Sequence, residues 1–461
     1  MSRKLKMSKY NYTVFDNDGN LILYNFLTGL KSLARVNKDD AEKFNQLFLS
    51  GVDIEYSSFD EYYKVVNQLI EAGILVDANV EESIYCDSFS YEDIFDSELV
   101  LTILPTGKCN FKCPYCFESD KSFCRTPMTM ESQDALLKFV QKIISKHKSL
   151  TIGWFGGEPL LESEIIKYLS ENLIKICNAR FIPYSAEMTT NGFFLDEKMF
   201  DMLYKLKIYN YQITIDGVKK HHDKYRITHK GEGTYDVIIS NLLRIKSSKQ
   251  YKFARIIVRV NVLKDSFEKF DEFIDYFSST FGDDPRFRII FKPVANFSDA
   301  NIINTEAEKV TAEDIYERLS ENISYMKTLF NEKEARIAAL LPQRKCVAAR
   351  KNTYVIAPDL SVYKCCVYFD YPTNKIGYIK SNGDLVIDEI KHRKWYTTNK
   401  LYDSCMDCFY SPICKSTACP IRMYSENIAG SCSLKDEVFY KKLSENIVYA
   451  SQYCNCKQLD L

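Results

Sequence analysis

The most informative stretch of the sequence is a strand pattern, Leu99–Leu104, and the loop after it, Cys109-Asn-Phe-Lys-Cys113-Pro-Tyr-Cys116. The cysteine spacing C-x3-C-x2-C puts three thiolates on one short loop. Thiolates are the usual ligands of iron–sulfur clusters, and three can hold three irons of a cubane while the fourth iron keeps no protein ligand. Zinc would normally need a fourth Cys or His, and only Cys124 lies nearby in sequence. The loop therefore predicts an iron–sulfur cluster, with zinc as the alternative.

Strand and helix patterns alternate from residue 99 to about residue 300. This alternation is typical of βα units that form a parallel sheet with right-handed crossovers. We expect an α/β fold, a partial (β/α)6 barrel, with the functional residues just after the strands. The strand candidates are Leu99–Leu104, Leu150–Phe155, Tyr184–Thr189, Asn210–Ile215, Phe253–Val262 and Phe287–Val294, and the helix candidates are Glu131–His147, Ser163–Asn178, Glu197–Leu206, Tyr235–Lys246 and Phe267–Phe277.

Residues 1–98 read as a separate small module. Short β-prone runs surround a turn signal at Asp16–Gly19, which predicts a hairpin. Two helical patterns follow: one is capped by Asp39 or Asp40 and runs to Phe48, and the other covers Phe59–Ala72. Strands followed by helices predict a compact α+β or winged-helix-like module.

Three further regions follow residue 300. Residues 301–345 are expected to form a charged helical bridge. Residues 346–435 are rich in cysteine and poor in periodicity, as expected where metal ligation organises the chain. Residues 436–461 are expected to form a helix and a tail that includes Cys454-Asn-Cys456.

Composition limits the function classes. The 461 residues include 61 Lys and Arg and 62 Asp and Glu, so the net charge of -1 argues against a nucleic-acid partner. Neither a membrane-spanning apolar run nor a secretory signal is recognisable, so we expect a cytoplasmic protein. Sixteen cysteines in a reducing compartment favour metal binding or catalysis over structural disulfides.

The cysteine loop resembles the cluster-binding signature of radical S-adenosylmethionine (SAM) enzymes, with Tyr115 just before the last cysteine. The resemblance implies that Cys109, Cys113 and Cys116 hold a [4Fe–4S] cluster whose open iron binds SAM. It also implies cleavage of SAM to a 5′-deoxyadenosyl radical that abstracts hydrogen, with electrons from a donor such as flavodoxin or ferredoxin.

Later strand ends carry further parts of the resemblance. The segment Gly156-Gly-Glu-Pro159 is similar to the family's loop for the SAM amine, and Thr189-Thr-Asn-Gly192 to its ribose-facing segment. Thr214 and Arg226 stand at the family's separation for two residues that grip SAM, although a surface salt bridge is the alternative for Arg226. His221 and His222 are expected to be structural. The implied SAM contacts are Tyr115, Gly156, Gly157, Glu158, Thr190, Asn191, Thr214 and Arg226.

The C-terminal cysteines resemble the SPASM extension of radical SAM enzymes, which holds up to two auxiliary [4Fe–4S] clusters. Two departures are visible: Leu360 stands where the pattern has Gly, and four residues rather than three separate Cys414 from Cys419. The alternative for this half is zinc. The resemblance implies Cys346, Cys365 and Cys419 for one cluster and Cys405, Cys408, Cys414 and Cys432 for the other.

The substrate expectation comes from two features. Cys366 occupies the position where sulfatase-maturing relatives have an acidic base, which disfavours that activity; Cys366 is a redox or acid–base group, a ligand, or simply buried. Residues 1–98 resemble the peptide-recognition element of peptide-modifying members, with a plain packing domain as the alternative. We expect a maturase that acts on a ribosomal precursor peptide with a leader and forms a thioether or carbon–carbon cross-link. The alternatives are sulfatase maturation and a non-catalytic zinc scaffold.

Overall fold

The computed structural model describes residues 3–49, 54–56, 62–82, 97–116, 118, 125–294, 310, 314–315, 318, 336–337, 339–341, 346–396, 408–414 and 437–459. The chain divides into two compact units. The first contains Met1–Phe95, Phe330–Arg350 and Tyr396–Leu461, and the second contains Asp96–Leu329 and Lys351–Trp395. The first unit therefore combines the N-terminal part of the chain with segments that come much later in the sequence.

The regular elements are numbered in chain order. The first stretch contains β1 (Arg3–Met7), β2 (Asn11–Phe15), β3 (Leu21–Asn25), β4 (Gly29–Val36), α1 (Lys38–Phe48), β5 (Ile54–Tyr56), α2 (Tyr63–Glu71) and β6 (Leu75–Asp77). The βα region contains β7 (Glu98–Ile103), α3 (Met130–Ile143), β8 (Ser149–Trp154), α4 (Ser163–Asn178), β9 (Tyr184–Thr190), α5 (Glu197–Lys205), β10 (Ile208–Thr214), α6 (Lys219–Tyr225), α7 (Tyr235–Ser247), β11 (Arg255–Val262), α8 (Lys264–Phe267), α9 (Phe270–Phe281) and β12 (Phe287–Pro293). The remaining elements are β13 (Thr353–Ile356), β14 (Ser361–Tyr363), β15 (Lys375–Ile379), β16 (Leu385–Ile387), α10 (Glu389–Tyr396), α11 (Glu437–Tyr453) and β17 (Lys457–Leu459).

Two small sheets build the first unit. In one, β1 pairs antiparallel with both β5 and β6; the other has the order β17-β4-β3-β2. The helix α1 buries Ala41, Phe44 and Phe48, whose spacing places them on one face. The hairpin predicted at residues 16–19 is present between β2 and β3, and the backbone N–H of Gly19 donates to the carbonyl of Asp16 (3.1 Å).

The predicted helix start at Asp39 or Asp40 is wrong by a short margin. The helix α1 begins at Lys38, with Asn37 as the flanking residue, so Asp39 and Asp40 lie in the first helical turn. Acidic side chains there face the positive end of the helix dipole. Asp39 and Asp40 therefore stabilise the beginning of α1 from within its first turn.

The six predicted βα units form the parallel part of the second unit's sheet. Strands β7 to β12 are neighbours in sequence order, and each adjacent pair is parallel. Leu99, Leu101 and Ile103 of β7 are fully buried, as expected for a strand in the middle of a sheet. The α/β fold with a partial barrel-like sheet is therefore confirmed, with the strand ends that carry the predicted site on one edge.

The expectation of little regular structure in residues 346–435 is wrong for its first part. The strands β13 to β16 extend the sheet beyond β7 to ten strands, and β13 pairs parallel with β7. All four residues of β13 are buried. These strands have three to five residues each, which is too short to give a clear periodic pattern.

Two helix predictions in the βα region also need correction. The helix predicted at Phe267–Phe277 is present as α9 but begins three residues later and ends four residues later, and the short helices α6 and α8 were not predicted. Most of residues 301–345 lie outside the described residues.

In the part of the chain that is described, no helix has both the length and the apolar character needed to cross a membrane.

Core packing in the second unit gives the first testable prediction. Phe200 of α5 is fully buried, so Phe200→Ala should lower the free energy of unfolding of this unit by about 3–5 kcal/mol. The chain has two tryptophans, Trp154 and Trp395, both buried in this unit, so tryptophan fluorescence during urea unfolding reports on it selectively. The control is Phe181→Ala, because Phe181 is 96% exposed, and it should change stability by less than about 0.5 kcal/mol. Equal effects of the two substitutions would contradict the packing described.

Candidate functional site

The cysteine loop follows β7 and is held by backbone contacts. The N–H of Cys116 donates to the carbonyl of Cys113 (3.1 Å), which closes a tight turn within the loop. Phe111 forms an antiparallel bridge with Thr228, and the N–H of Lys112 donates to the carbonyl of Ile227 (3.0 Å). Ile227 and Thr228, which follow α6, therefore hold the middle of the cysteine loop in place.

The three thiols of the loop are chemically suited to an iron–sulfur cluster. Burial, together with the neighbouring thiols and Glu158, raises the pKa of Cys109 to about 12, and burial raises that of Cys116 to about 11. Iron cations would supply the positive charge that the thiolates need. Among the described residues, no three His, Cys, Asp or Glu side chains converge on a position that could hold a single metal ion. The loop suits an iron–sulfur cluster because of the chemistry of its donors: it offers one thiol for each of three irons.

The glycines after β8 bring two loops into contact. Gly156 has φ +106°, and a Cβ there would lie 2.5 Å from the carbonyl oxygen of Thr106. A Cβ on Gly157 would lie 2.2 Å from the carbonyl oxygen of Lys108, which also accepts from the N–H of Glu158 (2.8 Å). The close approach that these glycines permit is therefore to the start of the cysteine loop. Their expected contact with SAM stays a prediction.

Glu158 connects the ends of two strands. Its fully buried carboxylate accepts from the hydroxyl of Thr190 (2.7 Å), the N–H of Asn191 (2.8 Å) and the N–H of Leu160 (3.0 Å). Burial raises the pKa of this carboxyl, and the three hydrogen bonds oppose the rise. Glu158 and Thr190 are thus engaged with each other in the structure.

Asn191 brings β9 to the cysteine loop. Its Nδ2 donates to Oδ1 of Asn110 (2.7 Å), directly beside Cys109, and its Oδ1 accepts from the N–H of Phe193 (2.9 Å). The Nδ2 of Asn110 is buried, and none of the described residues forms a hydrogen bond with it. A buried donor without an acceptor is costly, so this atom marks a place where a ligand or cluster sulfur would be accommodated.

A second buried group joins the cysteine loop to β10. The hydroxyl of Tyr115 donates to the carboxylate of Asp216, and Nη1 of Arg226 donates to the hydroxyl of Tyr115 (3.0 Å). The other oxygen of Asp216 accepts from the N–H of Asn261 on β11 (3.1 Å). Burial raises the pKa of Asp216, while the Arg226 guanidinium opposes the rise.

Arg226 is a buried residue of the site. It is 7% exposed, so the alternative of a surface salt bridge is wrong. Its guanidinium lies 5.6 Å from the ring centroid of Phe111, and its buried Nε has no hydrogen-bond partner among the residues that the structure describes. Arg226 therefore brings positive charge and an unused donor to the cysteine loop. Thr214 is also buried, at the end of β10.

Asp216 is the site residue that sequence reasoning missed. It lies two residues beyond Thr214, in the segment Thr214-Ile-Asp-Gly217, and is almost fully buried. Its signal was an acidic residue directly after a strand of a parallel sheet, where polar residues tend to be functional. Its neighbour His222 is structural: Nδ1 accepts from the N–H of Asp216 (3.3 Å), and Nε2 lies 3.0 Å from Oγ1 of Thr234.

The described C-terminal cysteines lie in different units. Cys365 and Cys366 follow β14 in the second unit, whereas Cys346, Cys408 and Cys414 belong to the first. Cys405, Cys419 and Cys432 lie outside the described residues, as does Cys124. Both auxiliary ligand sets therefore stay predictions.

The turn before Cys365 explains one departure from the SPASM pattern. Leu360 has φ +65°, the left-handed conformation that glycine adopts without strain, so the glycine of the pattern would fit this position of the backbone. After β14, Oδ1 of Asn374 accepts from the N–H groups of Lys364 (3.0 Å) and Cys365 (2.8 Å). Cys366 packs against an apolar cluster that includes Leu104, and its role stays open.

Leu360 gives the second prediction. Leu360→Gly and Leu360→Ala both remove the buried side chain, but only glycine adopts a positive φ without strain. The glycine variant should therefore be more stable than the alanine variant by about 1–2 kcal/mol, as measured by urea unfolding with tryptophan fluorescence. An alanine variant as stable as the glycine variant would show that the backbone here is not left-handed.

Comparisons with known proteins agree with this geometry. The chain is 25% identical to the radical SAM cyclopropyl synthase TigE of Paramaledivibacter caminithermalis, over 61% of this chain and 62% of that protein, which is less than two thirds of its length. It is 24% identical to a cysteine-type anaerobic sulfatase-maturating enzyme of Clostridium novyi, over 68% of this chain and 85% of that protein. The solved structure of native anSMEcpe with bound AdoMet and Kp18Cys peptide has a TM-score of 0.59 at 20% identity, covering 77% and 98% of the two chains, which shows a shared fold. Residues 103–277 match the Radical SAM superfamily. This range holds the cysteine loop and the strands β8 to β11, and the chain therefore carries a radical SAM domain over these residues.

Proposed function

We propose that this chain is a radical SAM maturase that modifies a ribosomally made precursor peptide and forms a thioether or carbon–carbon cross-link in it. The observation that carries the proposal is the loop of three cysteines, Cys109, Cys113 and Cys116, beside two buried donors, Asn110 Nδ2 and Arg226 Nε, that form no hydrogen bond within the described ranges. A radical SAM domain implies a [4Fe–4S] cluster and bound SAM. The cluster and SAM supply reductive cleavage to a 5′-deoxyadenosyl radical.

The chain's own residues would bind and orient these groups. The three cysteine thiolates of the loop after β7 would hold the cluster. The guanidinium of Arg226 is suited to an anionic acceptor such as a carboxylate, because it donates from several nitrogens in fixed directions. The contacts of Arg226 and Asp216 with Tyr115 keep this positive charge next to the cysteine loop. SAM contacts at Gly156, Gly157, Glu158, Thr190, Asn191 and Thr214 are part of this proposal.

A peptide is the substrate that the chain supports best. One relative is named for sulfatase maturation, which is a modification of a protein. The first unit offers small sheets to which an extended segment can add by main-chain hydrogen bonds. We further propose two auxiliary clusters on the cysteine sets given above, and reduction in the cytoplasm by flavodoxin or ferredoxin.

Sulfatase maturation is the second candidate, favoured by the same relative. The position after Cys365 is Cys366 rather than an acidic residue, so a carboxylate base is absent from that position. The thiol of a cysteine has a different ordinary pKa from a carboxyl and is not a direct replacement for it. The match to a superfamily of enzymes favours catalysis over a zinc scaffold.

Mass spectrometry tests the substrate class. Short cysteine-containing peptides encoded beside the gene should lose two hydrogens per cross-link when co-expressed with the enzyme. An unchanged mass for all of them, together with activation of an inactive sulfatase under anoxic reducing conditions, would favour sulfatase maturation instead.

The cysteine loop gives a prediction with an internal control. Cys113→Ala should remove about four irons per chain and abolish 5′-deoxyadenosine formation from SAM and dithionite, because one iron loses its thiolate. The control is Cys177→Ala in α4, where the thiol is fully buried away from the cysteine loop. That variant should keep its iron and its activity. Deoxyadenosine formation by Cys113→Ala at the wild-type rate would contradict the assignment.

Asp216 gives a prediction about orientation. Asp216→Asn removes the negative charge that accepts from Tyr115, so the buried guanidinium of Arg226 loses a nearby opposite charge. We expect at least about tenfold slower deoxyadenosine formation with unchanged iron content, which corresponds to about 1.4 kcal/mol. The matched control is Asp265→Asn. Asp265 also accepts a hydrogen bond from a tyrosine hydroxyl, that of Tyr225 (2.7 Å), but its side chain is partly exposed to solvent. Equal effects of the two substitutions would show that Asp216 has no special part in the site.

A further inference from the structure

The edge of one sheet in the first unit is occupied by a strand from the last part of the chain. The strand β17 pairs in parallel with β4, and Lys457, Gln458 and Leu459 lie opposite Ala34, Arg35 and Val36. The sheet order is β17-β4-β3-β2, so without β17 the edge of β4 would be open. An open edge presents unpaired backbone donors and acceptors and accepts further strands.

In the part of the chain that the structure describes, β17 meets β4 through three residues, Lys457–Leu459. Leu459 is fully buried in the apolar cluster that contains Val36 and Phe44. Lys457 Nζ lies 3.6 Å from a carboxylate oxygen of Glu71, and Nε2 of Gln458 donates to Oδ1 of Asn37 (3.0 Å); both contacts are largely solvent-exposed. One apolar side chain and a short stretch of main-chain pairing therefore carry most of the attachment.

A cavity borders the strand where it leaves α11. It has a volume of about 620 Å³ and is lined by Cys454, Asn455, Cys456 and Lys457 on one side and by Leu30, Lys31 and Glu71 on the other. Cys454 and Cys456 of the segment that connects α11 to β17 also pack against an apolar cluster that contains Leu33 of β4. The cavity leaves open space next to Lys457, the first residue of β17.

We propose that β17 is an exchangeable strand, and that the edge of β4 is a docking surface for an extended peptide that displaces it. The strand shows the chemistry of the partner: a parallel segment with a basic residue facing Glu71 and a leucine-like residue two positions later. The tail competes as part of the same chain, at an effective concentration that a free peptide must overcome. That the peptide is the precursor substrate rests on the proposed function, whereas the strand exchange does not.

The test measures binding of the tail peptide in trans, without SAM or reductant. The probe is a fluorescein-labelled peptide of residues 454–461 carrying Cys454→Ser and Cys456→Ser, and the readout is fluorescence anisotropy. A chain that ends at Tyr453 should bind it at least about tenfold more tightly than the intact chain, because its edge is open. The full-length Leu459→Ala variant should also bind it more tightly than the intact chain. The Gln458→Ala variant should behave like the intact chain.

The peptide itself carries a second control. A probe with Leu459→Ala should lose binding to the shortened chain, whereas a probe with Gln458→Ala should keep it. Equal affinity of the intact and shortened chains would overturn the proposal, as would no binding by a shortened chain that still unfolds cooperatively. If the shortened chain does not fold, no gain in affinity for Leu459→Ala over the intact chain would overturn it. A negative result in this binding test would not bear on SAM cleavage, so the strand exchange and the proposed function can be refuted independently.

Discussion

The buried carboxylate of Glu158 is the interaction on which the arrangement of the site depends. It accepts hydrogen bonds from its own loop and from the end of β9, while its N–H donates to Lys108 at the start of the cysteine loop. A buried carboxylate without partners would be costly, so its donors have to stay in place. One residue thus holds the loops after three neighbouring strands relative to one another. Gly156 and Gly157 make this arrangement sterically possible, because a Cβ at either position would collide with the backbone of Thr106 or Lys108, just before the cysteine loop.

Much of the second unit could be predicted from sequence because its strands and helices are long enough to show their periods. The parallel order of β7 to β12 follows from alternation of the two patterns, and the cysteine loop follows the first strand as expected. The strands β13 to β16 could not be predicted, because each has at most five residues and β13 is placed by pairing with β7 rather than by a local pattern. Tertiary pairing of this kind leaves little trace in a single sequence.

The candidate site was predictable in residue type and less so in arrangement. The expected residues lie at the carboxyl ends of four strands, but sequence spacing did not show that Glu158 binds Thr190 or that Tyr115 stands between Asp216 and Arg226. Asp216 was missed because one acidic residue after a strand is a common feature. Leu360 shows the opposite case, in which a residue departs from the expected pattern while the backbone has a conformation that suits the glycine of that pattern.

The proposed function requires that the cluster on the cysteine loop keeps one iron open to SAM, and electron paramagnetic resonance can detect SAM at that iron. The anaerobically reconstituted protein is reduced with dithionite, and spectra are recorded before and after addition of SAM. The account predicts a cluster signal whose g values shift when SAM is added, with Cys113→Ala lacking the shifting signal. A reduced wild-type spectrum that SAM leaves unchanged would contradict it.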